Sequence, residues 1–224
     1  MTSPAASTEA PGQQAEPALR ADAERNRELI MAAARRLYAT EGLGASMASV
    51  AREAGVGKAT LSRRFATRED LIIAVFADRM DAYAAGTTEA LADPDPWHGF
   101  TRYIEMICAM QAADRGFAAV LTLAFPAANA LEARRAEAYH SFLKLVARAK
   151  ATGHLRADFA SQDLVILLMA NAGVIAATGD AAPDSWRRLV GQMLRAFAAP
   201  DAPIPALPGA PTSAALYRAM NRLA

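Results

Sequence analysis

The sequence predicts an all-α protein. Apolar residues recur at helical spacing in almost every segment, no useful length alternates with period 2, and glycine or proline closes most of the periodic runs.

Residues 1–19, rich in Ala, Pro, Ser, Thr and Gln, carry too little apolar surface to order themselves and read as a flexible, disordered leader. In the first helix Leu29, Ile30, Ala33, Ala34, Leu37 and Tyr38 share a face, and Gly42 supplies the stop. A second helix opens at the N-cap candidate Ser46 and runs to Ala54. Gly55 permits a positive φ, and a short third helix follows to Arg64 or Phe65. Thr67 and Asp70 have capping-box spacing and open a fourth helix bearing Leu71, Ile72, Val75, Phe76 and Met80.

Longer helices follow. They span Trp97 to Ala112, Asp114 to Phe125 (stopped by Pro126), Ala128 to Thr152 (ended by Gly153), Ser161 to Thr178 and Pro183 to Ala198. Five prolines between Pro200 and Pro211 exclude helix there, and helix-forming residues return from Ser213 to Leu223 as a segment that either docks or stays loose. The expected organisation is thus a leader over 1–19, a helix-turn-helix unit over 20–79, a helical body over 80–199, and a Pro-rich tail over 200–224 with a short C-terminal helix.

The net charge of +1 does not by itself advertise a nucleic-acid binder. Its distribution is more telling: residues 20–79 hold 11 basic and 8 acidic groups, whereas residues 80–224 hold 13 of each. Within the basic segment, Gly57 to Arg68 carries Lys58, Arg63, Arg64 and Arg68 with no acid, a local field that attracts phosphates. The single cysteine, Cys108, excludes an internal disulfide, and residues 1–19 show no secretory signal. The most apolar stretch, Leu164 to Gly179, is about sixteen residues and contains Asn171, short of the roughly 20 a membrane span needs, so it reads as a buried helix of a cytoplasmic protein that engages no membrane.

Ala51, Gly55, Leu61 and Phe65 form the frame of a helix-turn-helix: a small residue for close approach, a glycine for the turn, and two apolar anchors. At 100° per residue Leu61 and Phe65 fall together on the inner face. Ala59, Thr60, Ser62 and Arg63 then point outward, with Lys58 and Arg64 at the flanks. Small residues admit the backbone to a major groove, and arginines can pair bidentately with guanine. Arg68, at the start of the fourth helix, is a phosphate-binding candidate, and the N-cap candidate Ser46 is a further expected DNA contact. The competing reading is a solvated basic hairpin in a protein that binds no DNA.

From Ile30 to Leu71 the chain, including the run AAARRLYATEGLGASMASVAREAGVGKATLSRRFATREDL, resembles the DNA-binding domain of the tetracycline-repressor (TetR) family. The resemblance rests on Ala33, Ala34, Leu37, Tyr38, Gly42, Ser46, Val50, Ala51, Ala54, Gly55, Val56, Thr60, Leu61, Phe65 and Leu71. It implies a homodimer whose paired third helices read a palindromic operator in double-stranded DNA, with repression relieved by a small-molecule effector. Two positions depart from the family pattern: Ser62 stands where tyrosine is usual, and Arg68 where lysine is. The second keeps the charge, while the first removes a large contact.

The resemblance also implies that the last two core helices form the dimer. Leu164, Leu168, Trp186, Leu189, Val190, Met193 and Phe197 are the expected interface residues; a central core helix in a monomer is the alternative for Leu164 to Thr178. Tyr103, Met106, Met110, Phe117, Phe125, Tyr139, Phe142 and Asn171 are candidates to line an effector cavity, although most such residues fill ordinary cores. Asn171, a polar amide in an apolar helix, requires a partner.

Catalytic patterns are missing. His98, His140 and His154 are far apart and lack a Cys partner, so no metal or other cofactor is expected. The GVGKAT string around Lys58 mimics a phosphate loop, but Arg52 stands where that motif needs Gly and Ala59 where it needs Ser or Thr. No Gly-x-Ser-x-Gly elbow occurs. The alternative to a ligand-responsive regulator is a DNA-bound regulator whose C-terminal domain binds a protein partner.

Overall fold

The structure, a computed structural model, describes residues 15–122 and 129–222. Among the described residues every regular element is a helix, apart from one isolated bridge between Leu155 and Ala198. Phe125, residues 1–14 of the leader and Leu223 lie outside the described residues.

Helix α1 (Ala15–Thr40) begins earlier than expected, so the end of the 1–19 leader is helical. Pro17 falls in the first turn, where its missing N–H costs nothing, and Ala and Leu neighbours favour helix. Helices α2 (Met47–Glu53) and α3 (Lys58–Arg64) fold against α1 around Ile30, Ala34, Tyr38, Val50 and Leu61, all essentially inaccessible. Arg36 Nε also bonds Glu53 Oε1 at 3.0 Å, tying α1 to α2. At Thr67 the capping box forms in full: the Thr67 hydroxyl accepts from the Asp70 amide at 3.0 Å, and the Asp70 carboxylate accepts from the Thr67 amide at 3.0 Å. It opens α4 (Arg68–Ala92), whose length carries it from the three-helix unit into the C-terminal body.

That body consists of α5 (Pro96–Ala113), α6 (Arg115–Thr122), α7 (Asn129–Ala151), α8 (Gln162–Thr178) and α9 (Ser185–Phe197), with a 3-10 turn (Gly179–Ala181) between the last two. Asp95 caps α5, its Oδ1 accepting from the amides of Trp97 and His98. An aromatic centre of Phe100, Tyr103, Phe142, Phe159 and Phe197 fills the body, with ring centroids 4.9–6.3 Å apart.

Gln162–Ala181 spans 20 residues and is long and apolar enough to cross a membrane, longer than the sixteen-residue stretch read from the sequence because its small and half-polar flanks continue the helix. Its inner face is nonetheless tied into the body, since Asn171 is fully buried and hydrogen-bonded to α5.

The proline-rich tail does not leave the surface. Its five prolines lack donors, so few bonds form along the segment and its carbonyls are open to donors elsewhere. Trp97 Nε1 donates to Pro203 O at 2.8 Å and Arg188 Nη1 to Pro208 O at 2.7 Å. Gly191 allows the crossing, because a Cβ there would lie 2.8 Å from Pro208 Cδ. Beyond this strap, α10 (Ser213–Met220) docks on the C-terminal end of α8 and the 3-10 turn, burying Ala215 and Ala219.

Candidate nucleic-acid interface and sensing domain

Gly55, at φ +67°, makes the turn between α2 and α3, a conformation that L side chains rarely adopt. The Ser46 hydroxyl accepts from the Ser49 amide at 3.0 Å and starts α2. Leu61 and Phe65 are buried and fix the roll of α3. That roll exposes Lys58, Ala59, Ser62, Arg63 and Arg64, leaves Thr60 half-buried, and brings the exposed Ser46 and Arg68 onto the flanking helix starts. All eight residues expected to contact DNA thus sit on α3 or at the starts of α2 and α4, and none is sealed in the core.

Their electrostatic ties are loose. Arg63 Nε donates to Ala59 O within its own helix, and Arg68 lies 3.6 Å from Glu69. Among the described residues, Lys58 and Arg64 have no hydrogen bond or ion pair, so both cations are available to an external anion. An exposed, acid-free set of cations beside small side chains suits docking against a phosphate backbone and reaching base edges.

Three rings join this unit to the body. Tyr38 of α1 stacks on Phe76 of α4 with centroids 6.1 Å apart, and Phe76 meets Phe117 of α6 at 6.2 Å. Burial pushes the Tyr38 hydroxyl up to about 12, against the lowering effect of Arg68, so the contact is between neutral rings.

The expected cavity residues divide. Tyr103, Phe117, Phe142 and Asn171 are buried, and Met106 and Met110 are half-buried. Tyr139 is instead 39% exposed, its hydroxyl 2.7 Å from Ser161 Oγ, so it faces outward. Asn171 Nδ2 donates to Cys108 O at 3.2 Å and Gln111 Oε1 at 2.9 Å, while Gln111 Nε2 donates to Leu168 O. Asn171 Oδ1 is buried with no hydrogen-bond partner among the described residues. The sequence singled out Asn171 but not Gln111, because a glutamine on an amphipathic helix reads as exposed. Among the described residues no three His, Cys, Asp or Glu side chains gather as a metal site.

The expected dimer residues divide by exposure. Leu164, Leu168, Trp186, Val190 and Phe197 are buried within the protomer. Leu189 and Met193 are only partly buried. The apolar residues that α8 presents to solvent are Val165, Ile166 and Met169, continued by the exposed small residues Ala170, Gly173 and Ala176. Helix α8 is apolar all round, so the sequence pattern carried no signal to separate its two faces.

Comparison with known proteins follows the same division of the chain. The family model for bacterial regulatory proteins of the tetR family matches residues 30–75, and that for the C-terminal domain of SbtR-like transcriptional regulators matches residues 95–196. No curated protein matches. Among solved structures, AibR in complex with isovaleryl coenzyme A and operator DNA is 18% identical with a TM-score of 0.58, over 77% of this chain and 97% of that one. The fatty acid degradation regulator FadR from Bacillus halodurans is 19% identical with a TM-score of 0.52, over 75% and 94%. A TetR transcriptional regulator from Streptomyces coelicolor is 29% identical, over 78% and 99%, with a TM-score of 0.48.

Proposed function

The chain belongs to the TetR family of bacterial regulatory proteins, and from that premise we propose that it is a cytoplasmic, homodimeric repressor. In this reading its two α3 helices grip a palindromic operator, and a small-molecule effector bound to the C-terminal domain releases it. The observation that carries the reading is the exposed surface of α3, where Lys58 and Arg64 stand without partners among the described residues on a helix rolled into place by Leu61 and Phe65.

Pairing is supported by the exposed apolar residues of α8, Val165, Ile166 and Met169, and by the half-exposed Leu189 and Met193 of α9. A two-fold axis would set the reading helices one or more duplex turns apart, roughly 34–36 Å or a multiple. Response to an effector is supported by the buried Asn171 Oδ1, without a partner among the described residues, and by the Tyr38, Phe76 and Phe117 contacts that join the body to the DNA-binding unit. The AibR complex makes ligand and operator binding compatible with the fold.

The test is to sequence genomic fragments retained by the purified protein, then to screen metabolite pools for release of the enriched site. A shared palindrome, released by at least one pool, is the expected result. Fragments with no common sequence would overturn operator recognition, and a palindrome that no pool releases would overturn the effector.

A further inference from the structure

A cleft of about 370 Å³ lies outside the aromatic centre, between α5, α9 and the strap. Met106 and Ala109 of α5 and Val190 of α9 line it with apolar surface, and Pro205, Ala206 and Pro208 of the strap close it from the other side. Its volume falls near the small end of the roughly 300–1,000 Å³ typical of ligand pockets. The roof is fixed by the bonds from Trp97 to Pro203 O and from Arg188 to Pro208 O, which hold the strap before and after the roofing residues.

Charged groups also line the cleft: Arg102 and Glu105 from α5 and Arg187 from α9. The Arg187 guanidinium sits 4.6 Å from the Trp186 ring centroid and is 3.2 Å from Asp184, so it is oriented and partly neutralised. Arg102 has no hydrogen bond or ion pair among the described residues, although its charge reaches Asp93, so its guanidinium donors are open to a ligand. On the wheel of α9, Arg187 and Gly191 point away from Leu189 and Met193, so a second copy seated on the apolar face of α8 and α9 does not cover the cleft.

We propose that this cleft binds a small aromatic carboxylate, the acid group on Arg102 with Arg187 beside it and the ring against Met106, Val190 and the strap prolines. A cation with no ion pair among the described residues calls for an anion, and apolar walls of Met106, Ala109, Val190 and proline call for a ring. Glu105 adds a preference for a ring that also carries a hydroxyl or amine donor. A bound ligand touches the strap and both helices at once, so it holds the strap to the body. This site is separate from the interior around Asn171 and stands whether or not its ligand releases the operator.

The test uses 2-naphthoate and the neutral 2-naphthamide with the full-length protein, by calorimetry and by hydrogen exchange of the Leu207 and Gly209 amides. Naphthoate is expected to bind and slow exchange in the strap, and the amide to bind roughly tenfold more weakly or worse. Arg102→Gln, at an exposed position that leaves the core intact, should weaken naphthoate by about tenfold. Ala109→Phe, checked for folding by circular dichroism, should fill the cleft and abolish binding. The proposal is overturned if naphthoate does not bind, if the amide binds equally well, or if binding survives both substitutions unchanged. Operator binding on the same samples separates the two readings, because a naphthoate complex that keeps its operator leaves the cleft intact and bears only on the effector.

Discussion

Replacing Ile166 and Met169 together by alanine should split the dimer while leaving each protomer folded. In the protomer these side chains keep 60% and 55% of their surface exposed, so the fold does not depend on them. Full burial of such a side chain is worth about 1.5–3 kcal/mol; covering the exposed half is worth about 1 kcal/mol. A two-fold interface contains each residue twice, so the double variant forfeits about 4 kcal/mol, a rise of about a thousandfold in the dimer dissociation constant. Sedimentation equilibrium over a concentration series measures it, with circular dichroism to show that the helices persist. A dissociation constant within about threefold of the parent's would refute the assignment of this face, since 4 kcal/mol cannot be lost unnoticed.

Other perturbations test the interior and the caps. Asn171→Leu leaves Gln111 Oε1 and Cys108 O without their donor and should cost about 1–3 kcal/mol in denaturant midpoint; an equal or higher midpoint would contradict the network. Burial pushes the Cys108 thiol up to about 12, so it stays protonated at pH 8 and iodoacetamide should label it only after unfolding. Because this folded value lies above the unfolded one, the stabilising contribution of the neutral thiol is complete below about pH 9 and fades as pH rises towards 12; rapid labelling of the native protein at pH 8 would show it accessible. Thr67→Ala removes half of the capping box at the start of α4 and should cost about 1 kcal/mol by urea unfolding, whereas no change would mean the cap is redundant.

Local chemistry made most of the helix-turn-helix legible. Gly55, Ser46, Thr67 and Asp70 act through neighbours at most three residues away, and Leu61 and Phe65 fix α3 by helical period alone, so the exposed positions of Lys58, Ser62 and Arg64 followed. What stayed hidden depends on contacts distant in sequence. The stripe Trp186, Val190 and Phe197 marks a buried face, but a pattern cannot say whether the cover is the same protomer or a second one; here the body's own helices cover it first. Helix α8 offered no stripe at all. The tail illustrates the same limit: its prolines announced an absence of helix, yet the donors that hold it, Trp97 and Arg188, lie up to 106 residues away. Gln111 escaped notice because only the packed structure brings it to Asn171.

In the proposed function the basic face of α3 and the start of α4 holds DNA. Affinity for the sequenced operator should be measured against salt for the parent and for a variant with Lys58, Arg64 and Arg68 all changed to alanine. These side chains are exposed, so the variant should fold and dimerise like the parent. The parent's affinity should fall steeply as salt rises, and the variant should bind far more weakly, its log–log salt slope shallower by up to about 3 if all three side chains meet phosphates. A folded, dimeric variant with the parent's affinity and the parent's slope would contradict the claim.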